Sequence, residues 1–184
     1  MPRFIAFLRA INVGGRNVTM TELRAHFEKL SLTKVETFIS SGNVIFEAKE
    51  DDARALRRKI ESHLARSLGW EVSVFLRTDS EVAAIAGRRP FSEKEIESAA
   101  AFNVAFLAES LDEAGSQSVA KFKTGIDDFH VQGREVYWLC RKKQSESTFS
   151  NNAFERALKL RATFRGMSTI KKLAARYPPS PRHE

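Results

Sequence analysis

The stretch Asn12-Val13-Gly14-Gly15-Arg16-Asn17 places paired glycines, an arginine and two amides side by side. Paired glycines let a backbone approach a ligand closely, and a helix that follows offers free N–H groups to an anion. The spacing matches neither a P-loop nor a dinucleotide fingerprint, and turn chemistry alone also accounts for Gly-Gly. Arg9 interrupts an apolar run just before this stretch, and Ser40-Ser41-Gly42-Asn43 adds hydroxyls and an amide in a second turn. Arg9, Asn12, Gly14, Gly15, Arg16, Ser41, Gly42 and Asn43 are therefore candidates for a polar rim that would hold a small molecule.

A second constellation is Thr163, Arg165, Thr169 and Lys172 around an expected helix start. Arg and Lys beside free backbone N–H groups suit a carboxylate or phosphate, although Thr163 also reads simply as an N-cap. Formal net charge is +7, and residues 134–184 hold 12 of the 30 basic but only 4 of the 23 acidic side chains. The first 133 residues are thus nearly neutral. Such a cluster attracts polyanions with salt-dependent affinity, or else forms a solvated helix face.

Other chemistries find little support. His26, His63, His130 and His183 form no metal-ligand pattern, and the first two fall among charged neighbours on expected helices, which reads as solvated surface. Asp51-Asp52 and Asp127-Asp128 stand at element starts, where acidic residues are common without a cation. No metal and no cofactor are expected, no serine lies in a nucleophile-elbow context, and no catalytic residue is assigned. Cys140 is the only cysteine, so no intramolecular disulfide forms; it sits in the apolar run Val136–Cys140 and reads as a packed thiol. Tyr137 and Trp138 read as core, or as base-stacking platforms if exposed.

With 184 residues, 42% of them hydrophobic and 29% charged, the composition is that of a globular protein that needs no disulfide or metal staple. The opening apolar run is too short for a signal peptide and no run approaches a membrane span, so a cytoplasmic location and no membrane partner are expected.

The elements that must position these residues follow from periodicity. Residues 3–11 read as a strand. Thr19 and Glu22 have capping-box spacing ahead of a helix over about 20–31. Strands at 35–40 and 44–46 flank the turn Ser41-Gly42-Asn43. Leu56, Ile60, Leu64 and Leu68 mark a helix closed by Gly69, and Val72, Val74 and Leu76 alternate with Ser73, Phe75 and Arg77 in a fourth strand. Strand, helix, strand, strand, helix, strand is the order of a ferredoxin-like unit. Its first and third strands are neighbours, which would bring Asn12, Gly14 and Gly15 near Gly42 and Asn43. A short helix at 80–88 precedes a second round: strand 102–107, a helix from Asp112, a hairpin through Gly133-Arg134, and helices at 151–160 and 166–177, the last in place of a final strand. The expected fold class is α+β, with duplicated ferredoxin-like (βαββαβ) halves and extra C-terminal helices. The segments are 1–78, a helical connector 79–98, 99–177, and a disordered tail 178–184. No residue-level repeat is evident between the halves.

Three blocks carry a family resemblance: Phe7-Leu8-Arg9-Ala10-Ile11-Asn12-Val13-Gly14-Gly15, Met20-Thr21-Glu22-Leu23-Arg24 and Ile39-Ser40-Ser41-Gly42-Asn43-Val44-Ile45-Phe46. They resemble the opening of the bacterial family labelled domain of unknown function 1697. Ser150-Asn151-Asn152-Ala153-Phe154-Glu155 and Thr163-Phe164-Arg165 with Thr169, Lys172 and Leu173 resemble its closing motif, which usually carries Asn-Trp where this chain has Gly166-Met167. The resemblance implies a duplicated α+β fold and brings no activity with it.

The leading functional expectation is binding of an anionic ligand, a nucleic acid or a phosphate-bearing small molecule such as a nucleotide, through the basic C-terminal helices. The alternative is a small-molecule enzyme or sensor built on the glycine-rich rim. A third reading is a homodimer formed through an open sheet edge.

Overall fold

A computed structural model describes residues 1–181; Arg182, His183 and Glu184, at the end of the expected tail, lie outside the described residues. The fold is α+β, with two four-stranded antiparallel sheets and seven α-helices among the described residues. The chain divides into two compact units, residues 1–85 with the segment from Leu173 onward, and residues 86–172.

The first unit runs β1 (Arg3–Leu8), α1 (Met20–Glu28), β2 (Thr33–Thr37), β3 (Asn43–Glu47), α2 (Ala53–Leu68) and β4 (Val74–Thr78), followed by α3 (Asp79–Gly87). Its sheet order is β2-β3-β1-β4, so the apolar β1 is central and pairs Ile5 with both Ile45 and Arg77. The capping box opens α1: the Glu22 N–H donates to Thr19 Oγ1 at 3.1 Å and the Thr19 N–H to Glu22 Oε2 at 2.8 Å. Asp52 caps α2 and Gly69, at φ 84°, ends it. Leu23, Phe27, Leu56, Ile60 and Leu64 join Phe4, Ala6, Phe46, Val74 and Leu76 in one core. The alternation expected of β4 does not hold, because Phe75 and Arg77 on the opposite face are also buried. A strand covered on both faces has no polar side to display.

The tail approaches this unit. Tyr177 donates its hydroxyl to Glu36 Oε2 at 2.6 Å, Arg3 donates to the Pro178 carbonyl at 3.1 Å, and the Ser180 N–H donates to Asp79 Oδ2 at 3.2 Å.

The second unit contains α4 (Glu93–Ser98), β5 (Ala101–Leu107), α5 (Glu113–Ala120), β6 (Asp127–Gln132), β7 (Glu135–Cys140), α6 (Asn151–Leu158) and β8 (Ala162–Gly166), and α7 (Met167–Arg176) follows. The sheet order is β6-β7-β5-β8. Its core gathers Ala105, Leu107, Val136 and Phe154 with Phe122, Phe129, Phe149 and Phe164. One expectation is corrected here. A final strand, β8, stands before the last helix, so Thr163 lies in a strand, pairs with Phe106 and caps no helix.

Candidate functional site

The glycine-rich loop and the first hairpin do meet. The Leu8 N–H donates to the Gly42 carbonyl at 2.9 Å, and Asn12 Nδ2 to the Ser40 carbonyl at 3.2 Å. Val13-Gly14-Gly15-Arg16 is a tight turn: Val13 and Arg16 form a bridge, the Arg16 N–H donates to the Val13 carbonyl, and both glycines have positive φ, 57° and 79°. That backbone is the type I′ turn, which requires positive φ at both central residues. A Cβ at Gly14 or Gly15 would meet nothing within 4 Å, so turn geometry accounts for both glycines. Gly42 differs. At φ 80° it is buried, and a Cβ there would stand 3.2 Å from Leu8 Cβ and 3.5 Å from Ile11 Cβ.

The polar residues of the rim hold the loops themselves. Asn12 Oδ1 accepts from the Val18 N–H at 3.0 Å, complementing its bond to Ser40. Asn43 is fully buried, and its Nδ2 donates to the Phe38 carbonyl at 2.8 Å and to Ser41 Oγ at 3.0 Å. The Arg9 backbone donates to the Ser73 carbonyl, and Arg16 is exposed. Two residues at this rim escape sequence reading: Val13 is 57% exposed, and Ile39 is 49% exposed with φ 60°, a conformation rare for a β-branched residue.

The C-terminal constellation is divided between a strand and a helix. Thr163 and Arg165 are buried in β8, Thr169 is half-buried in α7, and Lys172 is exposed. Arg165 Nη1 donates to Thr163 Oγ1 at 2.8 Å and to the Phe164 carbonyl at 2.9 Å, and burial lowers its pKa to about 10. Arg77 is its counterpart. It pairs with Ile5 on a central strand as Arg165 pairs with Val104, and its Nη1 likewise donates to the preceding carbonyl, at 2.8 Å. Arg77 and Arg165 thus share a place beside the central strand of their sheets and a bond to the preceding carbonyl.

The remaining basic residues are dispersed. Arg141 pairs with Glu95 and Asp128, and Arg176 pairs with Glu36 within the first unit. A concentrated patch survives at the end of α6, where Asn152, Glu155, Arg156, Lys159, Leu160 and Arg161 line an open pocket of about 480 Å³. Arg156, Lys159 and Arg161 are exposed, and Arg161 lies 3.5 Å from the buried carboxylate of Glu155. Lys159 ends the helix at φ 54° and turns the chain around the pocket.

His26 and His63 are not separate solvated side chains. His26 Nδ1 lies 3.3 Å from His63 Nε2, and the rings meet edge-on with centroids 5.3 Å apart. Desolvation, then nearby Lys29, lowers the His26 pKa; desolvation, then His26 and Arg66, lowers that of His63. Cys140 is fully buried, as are Tyr137 and all but 6% of Trp138, which makes them core. Asp127, fully buried, accepts from Trp138 Nε1 at 2.9 Å, Thr124 Oγ1 at 2.8 Å and Ser147 Oγ at 2.8 Å. Its carboxylate faces donors, an arrangement that holds a charge in place and leaves no face for a cation.

Comparison with known proteins locates the chain. A family described as protein of unknown function (DUF1697) matches residues 1–137. The chain belongs to the DUF1697 family. Among solved structures, the conserved bacterial protein SP0830 from Streptococcus pneumoniae is similar at TM-score 0.77 and 24% identity, covering 97% of this chain and 99% of that one; it establishes the likeness of fold. No curated protein matches. The DUF1697 match includes the glycine-rich rim and ends before the pocket on α6 and before Thr163, Arg165, Thr169 and Lys172.

Proposed function

We propose that the second unit binds a phosphate-bearing small molecule, a nucleotide, in the pocket formed by Asn152, Arg156, Lys159 and Arg161. The observation that carries this reading is the convergence of three exposed cations on one opening of about 480 Å³, a size suited to a small-molecule ligand. The negative end of the α6 dipole opposes an anion by roughly 0.3–1 kcal/mol, whereas each hydrogen bond to a charged group contributes roughly 1.5–3 kcal/mol, so the cations prevail. Guanidinium forks on Arg156 and Arg161 suit bidentate phosphate contacts, and Asn152 adds a neutral donor. A discrete pocket favours a nucleotide over an extended nucleic acid, because Arg156, Lys159 and Arg161 gather at one opening while Arg141 is paired, Arg165 is buried and Arg176 belongs to the other unit.

Fluorescence anisotropy with a labelled nucleoside triphosphate and a labelled single-stranded oligonucleotide, each at two salt concentrations, tests this. Arg156→Glu and Lys159→Glu should each weaken nucleotide binding at least about tenfold. Absence of nucleotide binding to the parent protein at low salt removes the reading; tighter binding of the oligonucleotide would transfer it to nucleic acid.

A small-molecule site at the rim of Arg9, Asn12, Gly14, Gly15, Arg16, Ser41, Gly42 and Asn43 is the second reading. The extent of the DUF1697 match favours it, since residues 1–137 include the rim and exclude the pocket. We further read each unit as a ferredoxin-like half of a duplicated fold. The shared order of strands and helices, β2-β3-β1-β4 and β6-β7-β5-β8, and the paired Arg77 and Arg165 support that reading. The helical segment 79–98 serves as the connector between the halves.

A further inference from the structure

We propose that His26 and His63 form a binding site for zinc or a similar borderline divalent metal ion, with His26 Nδ1 and His63 Nε2 as its two protein ligands. These nitrogens are 3.3 Å apart. Two imidazole nitrogens, each about 2.0–2.1 Å from a tetrahedral zinc, stand ~3.3–3.4 Å apart, so the protein already holds the donor spacing that the ion requires. The spacing is fixed by the core. His26 precedes Phe27 on α1 and His63 precedes Leu64 on α2, and both of those neighbours are fully buried in the cluster that joins the two helices to the first sheet.

Both rings are half-buried, which leaves room for water to complete the coordination shell. Ser67 Oγ, one turn along α2 and 3.5 Å from His63 Nε2, offers a hydrogen bond to such a water. In the metal-free protein one ring donates to the other. On binding, the donor ring carries its proton on its other nitrogen, so two lone pairs face the ion and no proton is released overall.

The surroundings define the metal class. Lys29 and Arg66 lie near the pair, and Glu22, one turn from His26, is held by Thr19. A net positive neighbourhood without a free carboxylate rejects magnesium and calcium, which depend on charged oxygen ligands, whereas imidazole nitrogens favour zinc, nickel and copper. Among the described residues no group of three or more His, Cys, Asp and Glu side chains could hold a metal, so the site has two protein ligands and water completes its shell.

Zinc chloride titrated into the full chain by calorimetry, with a chromophoric chelator as competitor, tests the assignment. The expected result is one equivalent bound with micromolar Kd, weakened at least about tenfold in both His26→Gln and His63→Gln, unchanged in His130→Gln, and absent with magnesium. Nuclear magnetic resonance should show the His26 and His63 ring signals shifting together, at the same zinc equivalents. Circular dichroism of the variants separates loss of a ligand from loss of fold. Failure of the parent protein to bind at roughly 0.1 mM zinc, or affinity equal to the parent's in folded His26→Gln or His63→Gln, overturns the proposal.

Discussion

Gly42 carries two constraints at once, a positive φ and a close approach to Leu8 and Ile11, whereas Gly14 carries only the first. Gly42→Ala should therefore cost about 2–3 kcal/mol of stability and Gly14→Ala about 1 kcal/mol, compared by urea unfolding. Asp127 supplies the pH counterpart. Desolvation acts to raise its pKa, and the donors Trp138, Ser147 and Thr124 together outweigh it, so the folded value lies below the unfolded 3.8. Its stabilisation is complete above the unfolded value and is lost as pH falls through the lower folded one. Asp127→Asn should lower stability at neutral pH by about 2 kcal/mol and flatten the acid limb of a stability-against-pH curve measured by thermal unfolding. The residue scale is also where hydrogen-bond partners are hardest to read from the sequence. Asn12 and Asn43 have the composition of ligand-binding amides, and their hydrogen bonds also close loops, Asn12 with the Val18 N–H and the Ser40 carbonyl 28 residues away, Asn43 with the Phe38 carbonyl and Ser41 Oγ around the hairpin. The pairing of His26 with His63 was illegible for a similar reason: it depends on the rotation of two helices about their axes, and 37 residues separate the rings.

At the scale of elements, α1 and α2 were legible because each carries its own start signal and a stripe at intervals of three or four. Thr19→Ala should remove the two bonds of the Thr19 hydroxyl, from the Glu22 N–H and to the Glu22 carboxylate, and lower the melting midpoint, at a cost of about 1 kcal/mol, while Glu22→Gln should keep much of the effect. The strand β8 was not legible. Ala162-Thr163-Phe164-Arg165 has only two apolar positions, and Thr163 followed by a polar stretch imitates the start of a helix. What makes it a strand is its pairing along β5, from Asn103–Gly166 to Leu107–Ala162, a relation between segments some sixty residues apart. The same relation buries Arg165, which no local pattern of residues signals. Strand alternation failed in β4 for the converse reason, since both faces of that strand are covered and its second face accepts an arginine.

For the whole molecule, the sequence displays the amount of charge but hides its division. Twelve basic residues in the last 51 suggest one polyanion surface, yet Arg176 pairs within the first unit, Arg165 is buried and Arg141 is paired, and of the remainder Arg156, Lys159 and Arg161 line the α6 pocket while Lys142, Lys143, Lys171 and Lys172 are exposed outside its lining. The two arrangements differ in salt dependence. Three neutralised phosphates give a slope of log affinity against log salt near −2 for a single strand, whereas all twelve would give about −8. Oligonucleotide binding measured across a salt series should follow the shallow slope. The bond between Tyr177 and Glu36, finally, sets a schedule for the chain during its synthesis. Its two ends are separated by 141 residues, so at ribosomal rates the carboxylate waits roughly 7–28 s for its hydroxyl. The unit that emerges first is thus the last to be finished, and its β2 edge stays uncovered by Tyr177 throughout translation of the second.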